Sequence, residues 1–228
     1  MGGSLKNGER IRIAMGMTQP ASRLFPDFTG INRAPGPSGK GRNPLNDRTR
    51  RFEAAALPHL PAAYNLARWL LRDDRQAEDA VQEAYLRAFR FFDDLRGDAA
   101  RPWLLGIVRN ACYDWMRQHR HLADQVEFDE MRDSGEGAST FGDPALAWEQ
   151  QARGQRVNAA IEALAAPFRE VIVLRELEEM SYEEIARIAG VPIGTVMSRL
   201  SRARAQLRTA LQAEAPHEPR EGKRDASG

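Results

Sequence analysis

The sequence predicts an all-α fold made of two small helical domains joined by a flexible acidic linker. Three observations carry that expectation. Apolar residues recur at helical spacing from Phe52 to His121 and again over 151–211, no alternating strand-like run competes with them, and a helix-turn-helix spacing lies near the C-terminal end.

The first fifty residues hold Pro/Gly/Asn/Ser clusters such as NRAPGPSGKGRNP and no sustained apolar period. Such a segment buries too little surface to offset its ordering entropy, so residues 1–50 are expected to be a disordered extension. That extension is basic: residues 1–51 carry ten Lys/Arg against three Asp/Glu, in a chain whose formal net charge is only +1. Met15 and Met17 leave the true start open.

The first helical domain is expected over residues 51–121. In RQAEDAVQEAYLRAFRFF, residues Ala77, Ala80, Val81, Ala84, Tyr85, Ala88 and Phe92 form one stripe, with Asp73 or Asp74 placed to cap the helix. Glu78, Asp79, Gln82, Glu83, Arg87 and Arg90 face away from it. Gly97 breaks the chain, and Asp98 is placed to cap a further helix with Pro102 in its first turn, where a missing N–H does no harm. That helix runs through Trp103, Leu104, Ile107 and Val108 towards His121.

Residues 122–150 carry eight acidic residues against Arg132 alone and include DSGEGASTFGDP, which marks a linker. The second helical domain is expected over 151–211, with Val157, Ile161 and Leu164, then a start at Pro167 leading through Phe168 and Val171 to Leu174. The polar tail 212–228 is expected to fray.

Within the second domain, Ser181 and Glu184 form the S-x-x-E capping box that opens a helix. Ala186, Gly190 and Val196 then fall where two crossing helices need a small residue, a turn glycine and an apolar lock. Projected at about 100° per residue, the last helix has Val196, Leu200, Ala203, Leu207 and Leu211 on its apolar stripe. Gly194, Ser198, Ser201 and Ala205 point the other way, with Met197, Arg202 and Arg208 beside them. Small outward residues let a helix approach a groove floor, and arginine donates two bonds to a guanine edge or to phosphate. Arg199 and Arg204 flank the apolar stripe, where phosphate contacts or internal salt bridges are expected. The bland alternative is an ordinary solvated helix face.

Several function classes drop out. The longest strongly apolar run, Val171 to Leu174, is far below the roughly 20 residues of a membrane span, and no secretory h-region is present, which places the chain in the cytoplasm. Its single cysteine, Cys112, fits a reducing compartment. Cys112, His119 and His121 match no common zinc spacing, so no metal or cofactor is expected. Asp73, Asp74, Glu78 and Asp79 are explained by capping and surface contacts without a catalytic partner.

Three segments in order carry a resemblance: DDRQAEDAVQEAYLRAFRFF, LRGDAARPWLLGIVRNACYDWMR and FREVIVLRELEEMSYEEIARIAGVPIGTVMSRLSRAR. Over about residues 52–211 the chain resembles the bacterial extracytoplasmic-function sigma factors. The resemblance implies a non-enzymatic initiation factor whose partners are core RNA polymerase (beta-prime clamp and beta subunit), promoter DNA and an anti-sigma factor. It implies that Asp79, Gln82 and Glu83 meet the clamp, although an acidic helix face taken alone reads as solvated. It implies that Trp103 and Asn110 serve opening and capture of the minus-ten strand, with Arg109, Arg117 and Arg120 on its backbone; Trp103 could equally be core. It implies that Thr195, Met197, Ser198, Arg199, Ser201, Arg202 and Arg204 meet the minus-thirty-five element. It also suggests that the acidic linker mimics nucleic acid inside the polymerase. Pro102 beside Trp103, Met197 where arginine is common and Ser201 where some members carry a bulky aromatic depart from the family pattern. The rival reading is a stand-alone helix-turn-helix regulator.

Overall fold

The computed structural model describes residues 44–95, 99–123 and 144–213. Residues 124–143 of the expected linker, the expected break at Gly97, the expected cap Asp98 and the tail beyond Ala213 lie outside the described residues.

Helix α1, Pro44–Ala56, begins inside the segment expected to be disordered, and residue 51 falls within it. The reason is tertiary. Phe52 is buried and meets Tyr85, Phe89 and Phe92 edge-on, with ring centroids 6.3, 5.2 and 5.4 Å away. Arg48 donates to the carbonyls of Phe89 and Arg90 at 2.8 and 3.2 Å and pairs with Asp93 at 2.9 Å, closing the end of the helix it crosses. One aromatic and one arginine leave no periodic signal in the sequence.

A 3-10 turn, Leu57–His59, leads into α2, Leu60–Leu71, which is apolar on nearly every side and occupies the middle of the molecule. Helix α3 spans Asp74–Arg90, and its cap is Asp73, whose carboxylate accepts the Gln76 amide at 3.0 Å. Asp74 instead pairs with Arg68. The expected alanine stripe is buried, and small side chains let α3 lie close against α2. Helix α4, Ala100–Ala123, buries Leu104, Leu105, Val108, Ala111 and Cys112 against both.

Helix α5 spans Pro144–Ala163, so its first residues take up part of the expected linker. Helix α6, Ala166–Ile172, carries Pro167 in its first turn and runs into one π-turn, Val173–Leu177. The wider turn lets the Glu178 amide bond the Val173 carbonyl at 3.0 Å and sends Leu174 and Leu177 into the core. Then come α7, Tyr182–Ala189, and α8, Ile193–Ala213. Gly190 makes the turn between them at φ 65°, and a Cβ there would meet nothing within 4 Å, so backbone conformation rather than space calls for glycine. Among the described residues there is no strand.

The two helical blocks lie against each other. Helix α4 packs along α7, α2 packs on α6, and one continuous buried cluster runs from Phe52 to Ala203.

The capping box forms as expected: Ser181 accepts the Glu184 amide at 3.2 Å and Glu184 accepts the Ser181 amide at 2.8 Å. Ser181→Ala should cost about 1 kcal/mol, read as a lower thermal midpoint. The Ser181 amide holds the Glu184 carboxyl below its ordinary range, against the opposing effect of burial. Stability from this bond is therefore present above the unfolded glutamate's pKa and is lost as pH falls through the lower folded one. Glu184→Gln should flatten that acid limb of the thermal midpoint.

Candidate nucleic-acid and partner surfaces

On α3, Asp79, Gln82 and Glu83 are all exposed, and the spacing of three and four places them on one outward row. Glu83 pairs with Arg87 at 2.5 Å, and Arg87 reaches Asp114 of α4 at 3.3 Å, so this end of the row is held in place. Leu86, 64% exposed, continues the row by one turn. Sequence reasoning missed it. The available signal was a leucine lying off the alanine stripe, on the polar side of an amphipathic helix.

On α8, Val196, Leu200 and Ala203 are buried as the projection expects, which fixes the helix's rotation. Met197, Ser198, Ser201 and Arg202 are exposed on the opposite side. The Ser198 hydroxyl donates to the Thr195 carbonyl at 3.0 Å. Arg204 turns back into an internal pair, donating to Glu176 at 2.7 and 3.2 Å. Arg199 is half-buried, and its Nη1 is enclosed without a hydrogen-bond acceptor.

The α4 residues divide. Trp103 is half-buried against the core, Asn110 is exposed, and Arg117 is exposed and pairs with Asp114. The side chain of Arg120 lies outside the described residues. Arg109 is occupied: its Nε donates to Glu170 at 2.8 Å while its guanidinium lies over the Tyr113 ring, 4.2 Å from the centroid.

Glu170 and Glu178 are the polar residues the sequence reading missed. Both carboxylates are fully enclosed, and both take their partners from the other block. Glu170 accepts from Arg109 and from the Tyr113 hydroxyl, each at 2.8 Å. Glu178 accepts from Asn65 at 2.6 Å and from Arg101 at 2.8 Å, and Arg101 also bonds the Glu178 carbonyl. Burial, and then the charge of Glu170, push the Tyr113 phenol upward, so it stays a hydrogen donor; Arg109 and Arg199 act against that shift. Burial likewise pushes the Cys112 thiol up to about 12, which leaves it protonated and inert. Among the described residues no three His, Cys, Asp or Glu side chains converge as metal ligands, and no helix is long and apolar enough to cross a membrane.

The comparisons with known proteins point one way. The family described as Sigma-70 region 2 matches residues 56–122, and the family described as Sigma-70, region 4 matches residues 154–207. The ECF RNA polymerase sigma-E factor of Escherichia coli K12 is 36% identical over 140 residues, an alignment covering 59% of this chain and 73% of that protein. The ECF RNA polymerase sigma factor SigE of Mycolicibacterium smegmatis is 32% identical over 154 residues, covering 67% of this chain and 58% of the relative, less than two thirds of its length. Among solved structures, the sigma factor RpoE of Bartonella quintana, in complex with the anti-sigma factor NepR, is 31% identical with a TM-score of 0.58, over 72% of this chain and 99% of that one. CnrH in complex with the cytosolic domain of CnrY is 27% identical with a TM-score of 0.51, over 73% of this chain and 91% of that one.

Proposed function

Because this chain belongs to the extracytoplasmic-function sigma factors, we propose that it binds core RNA polymerase in the cytoplasm and directs it to start transcription at particular promoters. The observation that carries this reading is the pairing of two unlike surfaces. One block presents an acidic and amide row, Asp79, Gln82 and Glu83, with Leu86 beside it. The other presents a recognition helix without an acidic residue, set behind a glycine turn. The row is the surface for the polymerase clamp. Met197, Ser198, Ser201 and Arg202 face the upstream promoter element, with Thr195 at the start of the helix. Trp103, Asn110, Arg117 and Arg120 serve the downstream element, with Arg109 joining them once released from Glu170. The chain supplies specificity and strand opening and makes or breaks no covalent bond itself.

The structure of the sigma factor RpoE holds the anti-sigma factor NepR, and an anti-sigma factor is the corresponding partner proposed for this chain. Transcription in vitro is the direct test: core polymerase plus this chain, with no other initiation factor, should produce a promoter-specific transcript. A stand-alone regulator would bind promoter DNA and leave core polymerase unable to start, and that result would overturn the proposal.

A further inference from the structure

We propose that Ile193 and Met197, one turn apart on α8, read thymine 5-methyl groups in the upstream promoter element and so set which promoters this chain prefers. The inference deepens the sigma-factor reading above and rests on it for the identity of the duplex.

Four large apolar side chains are exposed among the described residues, and two of them are Ile193, 40% exposed, and Met197, 51% exposed. Neither serves the core, since Val196, Leu200 and Ala203 already bury the inward side of α8. Residues four apart advance about 40° around a helix, so the row Ile193, Met197, Ser201 leads from the edge of the apolar stripe onto the outward side. Two apolar side chains on one exposed row form a surface that gains free energy when covered.

The surroundings of the row decide what covers it. Helix α8 carries four arginines and no acidic residue, and Arg202 and Arg208 stand exposed, so the complementary partner is a polyanion. Gly194 adds a second sign. Its backbone is not left-handed, and a Cβ built there meets nothing within 4 Å, so nothing among the described residues requires glycine. The missing side chain leaves room for close approach from outside. In the major groove the thymine 5-methyl is the one apolar feature; the other base edges present donors and acceptors, which Met or Ile would desolvate without replacing their bonds. Ile193 and Met197 lie roughly 6 Å apart along the helix axis at about 1.5 Å per residue, close to two base steps of about 3.4 Å each. The preferred thymines therefore fall within two steps of one another.

The test presents holoenzyme, assembled from core polymerase and the full chain, with promoter duplexes randomised across the upstream element. One pool is made with thymine and one with uracil, which lacks only the methyl. The thymine pool should return a thymine preference at positions no more than two steps apart, and the uracil pool should lose it. On one selected duplex, replacing a preferred thymine by uracil should weaken wild-type binding about fourfold. Met197→Ala should bind both forms alike at one preferred position and Ile193→Ala at the other, with circular dichroism to establish folding. No thymine preference, or the same preference in both pools, would overturn the proposal and leave the row to a protein partner. A methyl effect that persists in both folded variants would overturn it equally. Should a variant fail to fold, the two pools on the wild type still decide. If core polymerase does not capture the chain, the proposed function falls, and the same pools presented to the chain alone decide the methyl reading; retention of no duplex would overturn both.

Discussion

Gln82→Ala combined with Glu83→Lys is expected to abolish capture of core RNA polymerase while leaving the chain folded. The row Asp79, Gln82, Glu83 is exposed, so the substitutions remove no core packing. The local cost is one exposed pair: Glu83 holds Arg87 at 2.5 Å, and a lysine there would repel it. Exposed pairs of this kind are worth about 0.3–0.5 kcal/mol, too little to unfold a domain. At an interface the balance differs, because a lysine in place of a carboxylate both removes an attraction and leaves a partner charge facing its own sign. Truncating one side of a desolvated charge pair costs about 2–5 kcal/mol, or roughly thirty-fold to several-thousand-fold in affinity. Pull-down on core polymerase should therefore fall to background, with circular dichroism unchanged. Promoter binding by the same full-length variant should persist, since the recognition helix lies in the other block. Normal capture by the folded variant would remove this row from the polymerase surface, and Leu86→Ala offers a graded check on its apolar end.

The contrast between what could and could not be read in advance follows from the range of the interactions. The stripe on α3, the capping box at Ser181 and the turn at Gly190 depend on residues three to six apart, and their spacing shows in the sequence. The start of α1 depends on Phe52 meeting three rings across the fold, so a Pro/Gly/Asn-rich neighbourhood outweighed it. The contact between blocks depends on Glu170 finding Arg109 and Tyr113, 61 and 57 residues away, and on Glu178 finding Asn65, 113 away. A glutamate beside VIVL or within LEEM has the composition of a helix surface, and only the fold turns it inward. The same limit applies to the arginines of α8, where the projection gave the helix's rotation and therefore left Arg199 and Arg204 at the edge of the apolar stripe. For Arg204 the partner, Glu176, decided which way it turned.

That division makes Arg202 the arginine through which to test the recognition helix. Arg204 is committed to Glu176 and Arg199 is half-buried, whereas Arg202 is exposed beside Ser198 and Ser201, and among the described residues no ion pair engages it. Its small neighbours allow the helix backbone to approach a groove floor, which brings a long guanidinium within reach of a base edge. Arg202→Ala should therefore weaken binding to the upstream element by about 1–3 kcal/mol, and the sequence dependence of that loss identifies the contact. Loss confined to duplexes that keep one particular base pair means that Arg202 reads it. A uniform loss across sequences, with the salt slope reduced by about one, means that it holds phosphate. Arg204→Ala is the matched control: breaking its pair with Glu176 should lower the thermal midpoint slightly and leave discrimination between promoters intact. Core polymerase capture should survive both substitutions. Unaltered promoter recognition by Arg202→Ala would take this arginine off the reading surface and turn attention to Met197 and Ser201, the two outward positions at which this chain departs from its family's pattern.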